Sequence, residues 1–361
     1  MKPLKQVSDL IPYVPGKPVE ELERELGITG SIKIASNENP LGPSKLGVEA
    51  ALKTATELHR YPDGDCFYLK KKLAGKLGIN ESNLIIGNGS NEVIEIIART
   101  FLSESDEAIY GEHAFIVYPI VTQAVGARHV VSPMPDLVHN LDDFASKITK
   151  KTRIIYLANP NNPTGTIFKQ NEFDNFLSRV PDEVIVIVDE AYFEYVDDPE
   201  YPDSLEYQKN RKNIVTVRTF SKIYGLAGLR VGYGVGSEEL ISYVNRVREP
   251  FNVNSLAQAA AEAALDDTAH IKNTKEVNRD GLEYLIGNLE KIGVKYTPSF
   301  TNFILIDLED NPMQVYNDLL REGVIVRPVG GYGLKSHLRV SVGLETENKR
   351  FITALKKVLK K

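Results

Sequence analysis

Four stretches of this chain carry side chains whose types and spacing could do chemistry. In TFSKIYGLAGLRVGYG, Lys222 sits among small and apolar neighbours directly after the apolar run NIVTVRTF. Lysine is seldom buried without a partner. Removed from water it loses proton affinity, which frees its amine as a nucleophile for Schiff-base chemistry. The competing reading is a lysine that snorkels from a sheet edge. In VIVIVDEAY, five apolar residues run into Asp189. A carboxylate at the end of such a run must be paired or hydrogen-bonded. Binding a metal, pairing with a protonated ring nitrogen or holding backbone N–H groups would each satisfy it. NGSNE, after LIIG, offers Ser90 and free N–H groups at a helix start, which suits an anion or a simple helix cap. NPNNPTG, after TRIIYLA, is dense in turn residues, and one of its asparagines could hold a ligand oxygen.

Each of these stretches follows a strand-like run, and open α/β sheets gather ligands beyond the carboxyl ends of their strands. From about residue 83, NLIIGNG, EAIYG, ARHVVS, TRIIYLA, VIVIVDEAY, NIVTVRTF and RVGYGVG read as strands, several continuously apolar as if covered on both faces. Helical patterns separate them. In SNEVIEIIARTFL, Ile94, Ile97, Ala98 and Phe101 fall on one face. The alternation predicts an α/β fold with a mainly parallel sheet and helices on both sides. TNFILIDL, VIVRPV and HLRVSVG read as further strands, with helices at NPMQVYNDLLREG and ETENKRFITALKKVLKK, which together predict a smaller α+β domain. The expected organisation is an N-terminal arm over 1–30, where Pro12, Pro15 and Pro18 disfavour a helix, a large domain over 31–256 and a small one over 257–361.

Composition narrows the partners. The 361 residues carry a formal net charge of −6, which leaves no basic footprint for nucleic acid. Cys66 is the only cysteine, so an intrachain disulfide and a thiolate zinc cluster are excluded. The six histidines lack HxxxH and HExxH spacing, so no metal site is expected. No apolar run is long enough for a membrane span, and the amino terminus lacks a signal-peptide pattern. A cytoplasmic protein is expected.

Taken together, a lysine for a Schiff base, an aspartate for a ring nitrogen and a phosphate cradle are the protein parts that pyridoxal phosphate needs. In the order NGSNE, NPNNPTG, VDEAY, SKIYGLAGLR, the chain resembles the class II aminotransferases of fold type I over nearly its whole length. IPYVPGKP (11–18), SNENPLGPS (36–44), HRYPDGD (59–65) and LRVSVG (338–343) make it similar to the histidinol-phosphate aminotransferases. Aromatic amino-acid aminotransferases and threonine-phosphate decarboxylases share much of this pattern.

The resemblance implies pyridoxal 5'-phosphate bound covalently to Lys222, with Asp189 at its ring nitrogen and Asn162 and Tyr192 at its 3-oxygen. Phe115 would stack on the ring. Ser90, the N–H of Asn91, Thr219, Ser221 and Arg230 would hold the phosphate. Tyr61 would reach it from a second subunit, which implies a homodimer with shared active sites. Tyr13, Arg327 and Arg339 would take the substrate, through the phosphate of histidinol phosphate or the carboxylates of glutamate and 2-oxoglutarate.

Overall fold

The computed structural model describes residues 2–361. In chain order its strands are β1 (Ile32–Lys33), β2 (Leu84–Gly87), β3 (Glu107–Gly111), β4 (Arg128–Ser132), β5 (Thr152–Ala158), β6 (Ile185–Asp189), β7 (Ile214–Thr219), β8 (Gly232–Val235), β9 (Lys295–Thr297), β10 (Phe303–Asp307), β11 (Val324–Ile325), β12 (Arg327–Pro328) and β13 (His337–Ser341). Seven of them form the central sheet in the order β2-β8-β7-β6-β5-β3-β4. The pairs β3–β4, β3–β5, β5–β6 and β6–β7 are parallel, while β8 runs antiparallel to both β2 and β7. All five residues of β3 and of β6, and all six of β7, are buried. That is why residues 185–188 of β6 read as an unbroken apolar run: helices cover both faces of the sheet.

One core cluster, with Ile94, Ile97, Tyr118 and Tyr156, lies on one side of the sheet, and a second, with Phe144, Phe173 and Phe176, on the other. A third cluster encloses Leu285, Leu289, Ile304, Val340, Phe351 and Leu355 around the four-stranded sheet β12-β13-β10-β9. The 24-residue helix Thr268–Lys291, capped by the Asp267 carboxylate at the N–H of His270, leads into that part of the chain. The alanine-rich helix Ser255–Ala264 packs instead on Lys45–Thr54. Its Ala257, Ala260 and Ala261 are buried with Leu226 and Phe220.

Two local expectations differ from what is observed. The arm contains a helix, Val19–Leu26, which begins immediately after Pro18. Proline at a helix start removes no hydrogen bond, because the first N–H groups have no partner within the helix anyway. Its Leu22 is buried against Ala35, Leu320 and Ile325, so the arm is docked onto the C-terminal part of the chain. VIVRPV is divided: β11 pairs with β1, and β12 turns to pair with β13.

Candidate active site

A cavity of about 260 Å³ lies beyond the carboxyl ends of the central strands, between that sheet and β12–β13. Lys222, Asp189, Asn162, Tyr192, Phe115, Ser90, Asn91, Thr219, Ser221, Arg230, Tyr13, Arg327 and Arg339 all line it. The structure therefore brings together every sequence-predicted site residue except Tyr61.

The sheet end of the cavity is built from strand termini and one helix start. Gly89, with φ 81°, occupies the cap position of the helix Ser90–Phe101. Ser90 is thus the first helical residue and not the cap. Its hydroxyl and the first N–H groups are left to meet a ligand. A Cβ on Gly89 would come within 2.4 Å of Arg230 Nη2, so glycine is what lets the guanidinium cross this helix start. Arg230 has φ 57° and donates to Ser221 Oγ (3.4 Å) and the Ala227 carbonyl (3.1 Å). The N–H of Ser221 donates to Thr219 Oγ1 at 3.1 Å. Backbone N–H groups, three hydroxyls and one arginine therefore converge with no carboxylate among them, a donor set suited to phosphate.

The NPNNPTG loop sorts its asparagines into two kinds. Asn159 bonds the Phe168 backbone through both ends of its amide, and Asn161 donates to the His113 carbonyl and Thr164 Oγ1. These two hold the loop, which includes cis peptides before Pro160 and Pro163. Asn162 faces the cavity; its Oδ1 accepts from Arg339 Nη1 at 2.5 Å, which leaves its N–H₂ free to donate. The Tyr192 hydroxyl accepts from Asn37 Nδ2 at 2.9 Å, so its own proton is likewise free. Burial lifts that phenol to a pKa of about 12, against the opposing pull of Arg339 and Asn37.

The adjacent carboxylates at the end of β6, Asp189 and Glu190, have opposite fates, because successive side chains of an extended chain point to opposite faces. Glu190 is buried in an ion pair with Arg218 at 2.7 Å, and Arg218 also reaches Asp203 at 2.8 Å. Asp189 faces the cavity, and among the described residues no cation is paired with it. The Tyr118 hydroxyl donates to its Oδ2 at 2.8 Å and the Ala191 N–H to its Oδ1 at 3.2 Å. Burial pushes Asp189 up to about 6 despite these two donors. A protonated nitrogen next to it would relieve that cost.

Lys222 is half-buried, its free surface turned into the cavity, and Nζ donates to the Asn37 carbonyl at 3.3 Å. Burial, then the nearby charge of Arg339, lowers its pKa to about 8, with Glu38 opposing. Far more of the amine is then neutral near pH 7 than in an ordinary lysine.

The opposite end of the cavity holds Arg339 and Arg327, directly opposed on β13 and β12. Arg339 is buried, donates to the Ala35 carbonyl at 2.8 Å and leaves its Nε without a partner. Arg327 Nη2 donates to the Val14 carbonyl at 2.7 Å, and its guanidinium lies 5.2 Å from the centre of the Tyr13 ring. Among the described residues neither arginine has a carboxylate partner. Two opposed cations left this way await an anion.

Tyr61 is 82 % exposed, stacks on Phe251 at 4.9 Å and does not line the cavity of its own chain. Two residues here escaped the sequence reading. Asn37, with φ 54°, ties Tyr192 and Lys222 to Ser341, and Asn302 donates to its carbonyl. Its one signal was its place in SNENPLGPS. Tyr118 left no signal apart from lying three residues beyond Phe115.

The chain matches the family model described as aminotransferase class I and II over residues 29–355. It is 49% identical, over 98% of its length and 96% of the relative's, to a histidinol-phosphate aminotransferase 1 of Idiomarina loihiensis. A histidinol-phosphate aminotransferase 2 of Pasteurella multocida is 50% identical over 98% of this chain and 97% of its own. Among solved structures, the histidinol-phosphate aminotransferase from Sinorhizobium meliloti in complex with pyridoxal-5'-phosphate superposes with a TM-score of 0.91. It is 26% identical, with 99% of this chain and 97% of that one covered. An L-threonine-O-3-phosphate decarboxylase from Porphyromonas gingivalis shares the fold, with a TM-score of 0.80 at 23% identity over 91% of this chain and 100% of that one.

Proposed function

The chain belongs to the class I and II aminotransferases, and from that premise we propose that it acts as a histidinol-phosphate aminotransferase of histidine biosynthesis. It moves an amino group between glutamate and imidazole acetol phosphate, giving 2-oxoglutarate and histidinol phosphate by alternating half-reactions. One observation carries the reading. A single cavity holds an amine of lowered proton affinity, a buried carboxylate without a cation, and arginines without carboxylate partners at both ends.

The residues present fit pyridoxal phosphate. Among the described residues Asp189 lacks a positive partner, Gly89 keeps the phosphate corner open beneath Arg230, and the amide N–H₂ of Asn162 and the hydroxyl of Tyr192 retain free protons. When bound, that cofactor supplies a carbonyl carbon for the substrate's amine and a ring that accepts electron density from the substrate's Cα.

The chain's own residues are assigned as follows. Lys222 holds the cofactor covalently between turnovers and, once displaced, takes a proton at Nζ from one carbon and returns it to another. Asp189 holds a proton at the ring nitrogen. Asn162 and Tyr192 donate to the 3-oxygen, and Phe115 covers the ring. Ser90, the N–H of Asn91, Thr219, Ser221 and Arg230 hold the cofactor's phosphate. Arg339 and Arg327, with Tyr13 from the arm, take the substrate's phosphate or carboxylate.

We read the assembly as a homodimer in which Tyr61 completes the partner's phosphate site. Its exposure supports this, as do the exposed side chains of Leu52 and Leu58 and an apolar pocket lined by Val48, Leu52 and Leu226 beside the loop that follows Lys222. The separate core around β10 and β13 supports a division into a cofactor-holding unit and a smaller C-terminal one. No described helix is long and apolar enough to cross a membrane. A cytoplasmic location goes with the reading, the relatives bearing the name of a biosynthetic enzyme.

The test is competition among amino donors. Histidinol phosphate should be turned over with kcat/KM well above that of phenylalanine, and threonine phosphate should release no carbon dioxide. A preference for phenylalanine would reassign the enzyme to aromatic amino acids, and carbon dioxide release would make it a decarboxylase.

A further inference from the structure

We propose that Tyr118 is a positioning residue for Asp189: its hydroxyl holds the carboxylate as an oriented anion and so keeps the proton on the ring nitrogen that Asp189 faces. The inference rests on the assignment of Asp189 to that nitrogen.

Tyr118 is fully buried on the helix Val117–Ala124, 71 residues before Asp189 in the chain, and donates to Oδ2 at 2.8 Å. Its ring cannot swing away. One face stacks on Tyr156 at 4.9 Å with planes 6° apart, and Phe115 meets it edge-on at 5.9 Å. Tyr156 lies on β5, the strand beside β6, so the same sheet fixes donor and acceptor. Phe115, assigned to cover the ring, and Asp189, assigned to its nitrogen, are thus linked through one side chain.

The other donor to Asp189 is the Ala191 N–H, at a longer 3.2 Å. The remaining titratable groups coupled to the carboxylate are Glu190, which disfavours its charge, Lys222, which favours it, and the phenol of Tyr192, whose proton burial and the Asp189 charge hold on. Lys222 gives up its charge during catalysis on the proposed reading, and Glu190 is engaged by Arg218. Tyr118 differs from both. Burial and the Asp189 charge hold its own proton on well beyond ordinary phenol range, so it remains a neutral donor at every working pH. A donor that favours the anionic carboxylate drives the shared proton toward the ring nitrogen.

Tyr118→Phe removes one oxygen and keeps both ring contacts. In the cofactor-free protein, carbon-13 NMR of labelled aspartate should show the Asp189 titration moved up by about one pH unit. In protein loaded with nitrogen-15 pyridoxal phosphate, the ring-nitrogen signal should move toward the neutral pyridine value. In an Asp189→Asn background, Tyr118→Phe should leave pyridoxal phosphate affinity unaltered, whereas a merely structural role would lower it equally in both backgrounds. A folded Tyr118→Phe protein with unchanged carboxyl titration and unchanged ring-nitrogen signal overturns the proposal. If the variant does not fold, the Tyr118 hydroxyl proton of the unsubstituted protein serves instead. That signal should move as Asp189 titrates, and a signal indifferent to the titration overturns the proposal. The carboxyl titration needs no substrate, so an enzyme that prefers another amino donor would fail the activity test above and still pass this one.

Discussion

The two ends of the cavity are made differently. At the sheet end, Asp189 and Thr219 end β6 and β7, adjacent parallel strands whose residues are buried throughout, and Ser221 and Lys222 follow directly. At the far end, Tyr13 comes from the arm, and Arg327 and Arg339 come from the smaller sheet. Strand ends in a packed core hold side chains where the backbone puts them. The far end joins segments more than 300 residues apart, as in the bond from Arg327 to the Val14 carbonyl. The difference suits an enzyme that keeps one cofactor fixed and must admit two unlike substrates in turn.

Substitutions at the sheet end should abolish chemistry, and those at the far end should mainly change substrate use. The largest effect is expected for Lys222→Ala, which should cost at least about 10⁴-fold in kcat. Near-normal steady-state rates would remove Lys222 from its role. Arg339→Gln should lower kcat/KM for histidinol phosphate about 100-fold, as expected when one partner of a buried charged contact is lost. An unchanged kcat/KM in that variant would remove Arg339 from the substrate site.

Acidity gives a third test. Lys222 must be neutral to attack, and its pKa lies at about 8. Capture of pyridoxal phosphate by the free protein should therefore quicken about tenfold per pH unit between pH 6 and 7 and level off above 8. Stopped-flow absorbance reads this directly, and a rate still climbing at pH 10 would show a lysine of ordinary acidity. The smallest effect belongs to Arg327→Ala, a half-buried cation at the rim. It should raise KM for histidinol phosphate about fivefold and leave kcat near its starting value.

The same contrast decides what could be read from the sequence. Lys222 and Asp189 follow apolar runs in the chain itself, so the strand pattern alone located them at strand ends. Asn162 needed the resemblance, because Asn159, Asn161 and Asn162 occur in one loop and only folding turns the third toward the cavity. Arg339 likewise needed the resemblance. Nothing local told that β13 lies between β10 and β12, or that the guanidinium would be buried against the Ala35 carbonyl. Tyr118 and Asn37 act through hydrogen bonds that span 71 and 155 residues, to Asp189 and Tyr192. Contacts of that range follow from the packing of whole elements and leave no local spacing to detect. The helix at Val19–Leu26 was missed for another reason: three prolines in the arm argued against any helix, although one of them stands where a helix can begin.

The central claim is that this cavity exchanges an amino group with histidinol phosphate through a cofactor anchored on Lys222. The most direct measurement is one half-reaction: protein loaded with pyridoxal phosphate is mixed with histidinol phosphate, without a keto acid, and its visible absorption is followed. Conversion to the pyridoxamine phosphate spectrum, with one equivalent of imidazole acetol phosphate formed per cavity, is the predicted result. A loaded protein whose band histidinol phosphate leaves unchanged, while another amino donor converts it, would contradict the account.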